Sequence, residues 1–254
     1  LKKITNVLYF DDLLKAILQD TAVKESLVDQ ICEREGIKYL SPVLKDKPAD
    51  TLVKIFIEGL ECQGLKERFI IKPIPNLFFT RDASLTMYDN VMICKMATEV
   101  RDRETILLDA IFRHSPIIDT EVIHPVDKYD PKKDGTFEGG DIQIASENVI
   151  LSGCGLRTNR HGIDSLIEHL KTKGGTRHLI LQELPTSPES FIHLDMVFTF
   201  LDKDKCMCYK PVIMNNAFKT IHFEINGEHN PVKVTDENSL LDALKNVGMD
   251  LEPI

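Results

Sequence analysis

Residues 138–183 read EGGDIQIASENVILSGCGLRTNRHGIDSLIEHLKTKGGTRHLILQE. The runs DIQIA and VILSG flank Ser146-Glu147-Asn148, the pattern of two short strands joined by a tight turn. GIDSLIEHLKTKG follows with helical spacing of its apolar residues, and RHLILQEL is again strand-like. The stretch therefore predicts a hairpin, a helix and a returning strand.

The same order recurs on both sides. Upstream, ASLTMY and VMICKM flank a turn at Asp89-Asn90, RETILLDAIFRH reads as a helix, and EVIHPV is strand-like. Downstream, LDMVFTFL and CMCYKPVI flank residues 202–205, and SLLDALKNVG reads as the helix after an intervening extended stretch, TIHFEING. The acids at the three hairpin entrances, Asp82, Asp141 and Asp195, stand 59 and 54 residues apart. Such a period predicts supersecondary units repeated around a common core, hence an α/β fold. Residues 1–70 read differently, as a helical unit. Leu8, Leu13, Leu14, Ile17 and Leu18 share one helical face, and Val23, Leu27, Val28 and Ile31 share a second, with Gly36 as its stop. Leu52, Ile55, Phe56 and Leu60 form a third behind Pro48. Residues 71–254 carry the repeats.

The chain has 254 residues, 43% of them hydrophobic and 28% charged, so it can bury a folded core and is not a disordered tract. Its formal net charge of −9 argues against nucleic-acid binding, which rests on clustered Lys and Arg, and suits a cationic small molecule. No apolar run approaches the ~20 residues of a membrane span. Six cysteines are scattered without a CxxC pair, and no secretory leader is visible, so a reduced, cytoplasmic setting is expected. Both ends read as cut, since Leu1 already lies in an amphipathic pattern and Ile254 follows a helical one.

Three acidic motifs open the hairpins: Thr80-Arg81-Asp82, Glu138-Gly139-Gly140-Asp141 and His193-Leu194-Asp195. If the units pack radially, their carboxylates converge, and crowded carboxylates need a cation or protons to compensate. In FIHLDMVFTF, strand alternation would put His193 and Asp195 on one face, with Ile192, Leu194, Met196, Phe198 and Phe200 on an apolar one. Taken alone, that pair reads rather as two solvated residues on an ordinary half-exposed strand. The paired glycines fit either a plain turn or a close approach of backbone to a ligand. Phe78 or Phe79 reads most simply as core, and Arg81 beside Asp82 as a surface ion pair. Arg101 and Arg157 follow the first and second hairpins at matching places, as helix-end charges or as a fork for one carboxylate. The set suits a zwitterionic amino acid with a cationic side chain. No recognisable zinc spacing is present.

Taken in order, Asn76-Leu77-Phe78-Phe79-Thr80-Arg81-Asp82, Phe137-Glu138-Gly139-Gly140-Asp141, Leu156-Arg157-Thr158 and His193-Leu194-Asp195-Met196-Val197-Phe198 resemble the motifs of the arginine deiminase family, over residues 70–215. The resemblance implies a pseudo-five-fold α/β propeller with its active site in the central channel, present here in part, and a helical insertion over residues 1–70. It implies that Asp82 and Asp195 grip a substrate guanidinium, and that Glu138 and His193 act as acid and proton shuttle. Arg101 and Arg157 would hold the α-carboxylate, while Asn76, Phe79 and Asp141 would line the pocket. The implied reaction is hydrolysis of L-arginine to L-citrulline and ammonia through a cysteine thiolate, with no metal and no organic cofactor. The family's nucleophile stands in a Gly/Arg-rich loop near the C-terminus that this sequence does not show, so a fragment inactive by itself is expected. A non-catalytic arginine-binding module and a related amidinotransferase are the alternatives. The oligomeric state stays open, a homo-oligomer included.

Overall fold

The computed structural model describes residues 3–62, 68–125 and 135–254. Leu1, which opens the first amphipathic pattern, and Val126, which ends EVIHPV, lie outside the described residues.

The helical unit comprises α1 (Phe10–Ile17), α2 (Thr21–Arg34), α3 (Ser41–Lys45) and α4 (Ala49–Glu58). Asp20 starts α2 by accepting the N–H groups of Ala22 and Val23, and Gly36, at φ +72°, takes the left-handed turn that ends it. Leu14, Ile17, Leu27, Val28, Ile31, Leu52 and Phe56 form its buried core. Three details differ from the sequence reading. Leu8 precedes α1 and is exposed, α3 is an additional turn of helix, and Leu60 leaves the helix to enter β1 (Leu60–Glu61). This strand pairs antiparallel with β2 (Phe69–Ile71) because Gly59, at φ +90°, ends α4 and turns the chain.

The repeats follow. α5 (Thr80–Ala83) leads into the hairpin of β3 (Ser84–Met87) and β4 (Asn90–Ile93), then α6 (Asp102–His114) and β5 (Glu121–Ile123), which returns parallel to β4. The hairpin turn is Tyr88-Asp89, not Asp89-Asn90. Asn90 pairs with Met87, and Tyr88 carries the positive φ of 54°. The second unit runs β6 (Ile142–Ile144), β7 (Val149–Cys154), α7 (Arg160–Lys171) and β8 (Arg177–Glu183), with β8 parallel to β7.

The third unit begins with β9 (Phe198–Asp202) and β10 (Lys205–Cys208), then a helical turn, α8 (Lys210–Ile213). An antiparallel pair, β11 (Thr220–Ile225) and β12 (Lys233–Glu237), interrupts it and joins the second unit's sheet through β8. Only then come α9 (Leu240–Asn246) and β13 (Glu252–Pro253), parallel to β10. The unclear third unit is thus the same motif with a strand pair donated to its neighbour.

The architecture is mixed α/β. Among the described residues none of the sheets closes on itself, and no helix is long and apolar enough to cross a membrane. The second sheet is packed on both faces. Ile142, Ile150 and Leu179 meet Leu85 and Met92 of the first unit with Leu166 and Leu170 of α7. Leu151 and Ile180 meet Phe198, Cys206, Leu240 and Leu244 of the third. That sandwiching brings the hairpin entrances together: α5 packs on the turn Gly139–Asp141, which packs on the turn Leu194–Met196.

Candidate active site

Asp82, Glu138 and His193, one from each entrance, are all buried, and their ligand-capable atoms lie within 4.8 Å of one another. Glu138 is fully buried. Its Oε1 accepts the N–H of Ala97 at 2.8 Å, and its own N–H is held by Thr158 Oγ1 at 3.1 Å. Its Oε2 lies 3.0 Å from His193 Nε2, while His193 Nδ1 faces Asp82 Oδ1 at 3.9 Å. Burial opposes a charged imidazole, but the bond to Glu138 and the charges of Asp141 and Asp82 outweigh it and raise His193 above its ordinary range.

The two glycines explain this proximity. Neither has positive φ, and the pair lies in the plain turn Gly139–Asp141. A Cβ on Gly139 would strike the carbonyl of Arg81, and one on Gly140 would stand 2.7 Å from Asp82 Oδ1 and 2.9 Å from the His193 ring. The approach is of backbone to the neighbouring motifs.

Arg101 ends the short turn Glu99–Arg101 and is buried among carboxylates. It donates to Asp82 Oδ2 at 2.7 Å and to Glu104 at 2.8 and 3.0 Å, and stands 4.0 Å from Glu138 Oε2. Burial works against its charge, and the bonds to Glu104 and Asp82 more than restore it. Glu104, itself raised by burial, was not singled out from the sequence; its spacing of three from Arg101 at a helix start was the available signal. Arg157 is half-buried, 3.8 Å from Glu138 Oε1.

Asp141 is wholly buried and touches backbone: Oδ1 accepts the N–H of Leu194 at 3.1 Å, fixing the turn that follows His193. Its Oδ2 accepts no hydrogen bond among the described residues. Burial pushes this carboxyl up to about 7 against the pull of His193, Thr158 and the Leu194 N–H. Asn76 is half-buried, its carbonyl at 3.5 Å from Arg101 Nη2.

Two expectations about neighbours do not hold. Phe78 and Phe79 are not core; they are 74% and 50% exposed with ring centroids 4.0 Å apart. Arg81 does not pair with Asp82 but donates to the carbonyl of Ile142 at 2.6 Å. Nor does strand alternation run through His193: the chain turns at Leu194–Met196 and the strand starts at Phe198. Leu194 is therefore buried, while Asp195 and Met196 are exposed on the rim, with Asp195 near enough to feel the charges of His193 and Asp82.

Chemically, the cluster offers two carboxylates and an imidazole to a cation, and its geometry would also accept a metal ion. Asp82 and Glu104 together already hold one guanidinium, that of Arg101. Nucleophiles are poorly provided. Burial raises the thiol of Cys94 close to Glu138, and burial with Asp141 and Glu183 raises that of Cys154. Burial and Cys208 push Cys206 up to about 11. Cys32 lies in the helical core and Cys62 beside β1.

The family model described as arginine deiminase matches residues 58–253. The arginine deiminase of Streptococcus equi subsp. zooepidemicus (strain H70) is 35% identical over 268 residues, covering 95% of this chain and 61% of that protein. The arginine deiminase of Streptococcus pyogenes serotype M5 (strain Manfredo) is 28% identical with the same coverage. The chain thus spans about three-fifths of the length of the curated relatives it matches. Among solved structures, the N-terminal domain of ArgZ, an arginine dihydrolase of cyanobacteria bound to its product, is 23% identical with a TM-score of 0.43, over 56% of this chain and 46% of that one. With the family match running from residue 58 to residue 253, across all three repeated units and every motif described above, the chain belongs to the arginine deiminase family.

Proposed function

We propose that this chain supplies the guanidinium-binding and proton-transfer side of an arginine deiminase active site. Its reaction is hydrolysis of L-arginine to L-citrulline and ammonia. In this reading residues 71–254 are part of a five-fold α/β propeller whose channel the three hairpin entrances line, residues 1–70 are a helical insertion, and the protein works in the cytoplasm. The observation that carries the proposal is the buried cluster of Asp82, Glu138 and His193, held within 4.8 Å by three separate motifs.

Asp82 and Asp195 would bind the substrate guanidinium from the buried and the exposed side. Charge-assisted bonds of this kind contribute ~1.5–3 kcal/mol each. A cysteine thiolate adds to the guanidinium carbon, the C–N bond to the departing group breaks, and His193, kept protonated by Glu138, gives its proton to that nitrogen as ammonia leaves. The neutral imidazole then takes a proton from the water that attacks the thiouronium carbon, and the adduct collapses to citrulline as its hydroxyl proton passes to solvent and the C–S bond breaks to free the thiolate. Glu138 offsets the positive charge passing through His193. Arg157, on the exposed side of Glu138, fits the substrate carboxylate. Arg101 would reach it only by releasing Asp82, so substrate guanidinium and Arg101 exchange places on that carboxylate. Phe79 and Asn76 would flank the aliphatic stem, and Asp141 would hold the His193 turn in place.

In this reading none of the six cysteines serves as that thiolate, so the chain by itself is expected to bind arginine without turning it over. A non-catalytic arginine-binding role shares that outcome, and an amidinotransferase would need an acceptor amine. Titration calorimetry of the chain with L-arginine tests the reading. Binding that Asp82→Asn abolishes is expected, and equal heats for the two proteins would overturn it.

A further inference from the structure

Away from the acidic cluster, one face of the second sheet carries a group of side chains that the proposed chemistry does not use. His178 on β8 is directly opposite Glu224 on β11, and His222 lies two residues along β11 on the same face. His178 Nδ1 and His222 Nε2 stand 2.9 Å apart. We propose that His178, His222 and Glu224 form a binding site for a divalent transition metal of tetragonal preference, such as nickel or copper.

Three features argue for it. The first is the bite. Imidazole nitrogens bind such metals at ~2.0–2.1 Å, and two ligands at right angles about a metal are then about 2.9 Å apart. The two rings already hold that separation across a shared proton, so metal entry requires that proton to move from one nitrogen of His178 to the other and the two rings to turn until both lone pairs face the metal.

The second is the support behind His222. Glu237 Oε1 on β12 stands 3.6 Å from His222 Nδ1, and Glu237 Oε2 accepts a hydrogen bond from Asn246 of α9 at 2.9 Å. A carboxylate behind the far nitrogen favours the proton there, the tautomer with Nε2 bare toward His178. It is the outer partner that metal-binding histidines commonly have. His222 and Glu237 are only 12% and 9% exposed in their side chains, so the carboxylate acts on the ring in a largely dry setting.

The third is the available carboxylate. Glu224 is half-exposed and its present bonds are weak ones, to Asn226 at 3.2 Å and to Lys233 at 3.6 Å. Directly opposed residues on an antiparallel pair have Cβ atoms ~4.5–5.5 Å apart, so a rotamer change brings its oxygen to the metal and leaves the solvent side open for water. The charged groups around the pair are Glu224, Glu237 and Lys233; Lys233 is mostly exposed and can withdraw.

The test is a nickel titration of the chain at pH 7.5, followed by two-dimensional NMR of the histidine rings. Nickel is paramagnetic, so signals of rings that bind it should broaden first at sub-stoichiometric metal. The expected result is selective loss of the His178 and His222 signals, ahead of those of His193 and the other histidines. Glu237→Gln should weaken binding ~10–100-fold, as outer-partner changes do. Glu224→Gln and His222→Gln should also weaken it, and binding should fall away by pH 5. If His222→Gln does not fold, the ring signals of the unaltered chain decide alone. The proposal is overturned if millimolar nickel leaves both ring signals intact, or if folded His222→Gln binds nickel as tightly as the unaltered chain.

Discussion

Replacing Gly140 by alanine is the sharpest probe of how the candidate site is assembled. The added Cβ would lie 2.7 Å from Asp82 Oδ1 and 2.9 Å from His193 Cγ and Nδ1, where ordinary contact begins near 3.4 Å. Asp82 and His193 must therefore recede by about 0.5–0.7 Å. Neither can do so freely, because Arg101 pins Asp82 at 2.7 Å and Glu138 pins His193 at 3.0 Å. Overpacking against neighbours held in this way costs about 1–3 kcal/mol. At about 2–4 °C per kcal/mol for a chain of this size, the melting temperature should fall by about 2–12 °C. The same displacement should remove one charge-assisted bond to bound arginine, worth about 1.5–3 kcal/mol, which weakens affinity by about 10–100-fold. Calorimetric unfolding and an arginine titration measure both effects. Gly36→Ala is the control, since its Cβ meets nothing within 4 Å and its cost comes from φ +72° alone. It should lose stability and keep arginine affinity. Unchanged arginine binding in Gly140→Ala, or equal loss in both variants, would refute the reasoning.

Other variants test the individual groups. Arg101→Met leaves Asp82 and Glu104 buried without their shared cation, and breaking such a pair should cost about 3–5 kcal/mol, seen in urea unfolding. Glu138→Gln replaces the carboxylate beside His193 by a neutral amide, so the imidazole pKa followed by NMR should fall. The stability linked to that raised pKa is fully present below the ordinary histidine range and lost as pH rises through the folded value, and this pH dependence should shrink in the variant. Asp141 also has a folded pKa above its unfolded one. Its contribution is complete below the ordinary value of 3.8 and lost as pH rises through about 7. Asp141→Asn cannot ionise but can still accept from Leu194, so urea midpoints at pH 4.5 and pH 8 should differ less than in the unaltered chain.

What the sequence made legible was what local periodicity encodes. The hairpins at 142–154 and 198–208, the faces of α2 and α7 and the stop at Gly36 follow from alternation, helical spacing and glycine placement. The convergence of three entrance motifs followed from the repeat itself. What escaped was set by tertiary contact. The third unit was obscured because β11 finds its partner in β8, a choice no window of β11 contains. Phe79 and Met196 read as core from their chemistry, yet each sits on an exposed turn. Asp195 and His193 parted because a tight turn replaced the expected strand. Arg101 and Arg157 looked equivalent in the sequence, but only Arg101 is enclosed by Asp82 and Glu104, and burial of that pairing decides its charge environment. The His178–His222 contact spans 44 residues and leaves no local trace.

In the proposed reaction the buried cluster of Asp82, Glu138 and His193 receives a substrate guanidinium. A crystal structure of the chain soaked with L-arginine tests it most directly. The arginine guanidinium is expected on Asp82, between Glu138 and the rim at Asp195, with Arg101 turned away from Asp82. Arginine bound elsewhere, or a cluster left with Arg101 on Asp82 at saturating arginine, would contradict it.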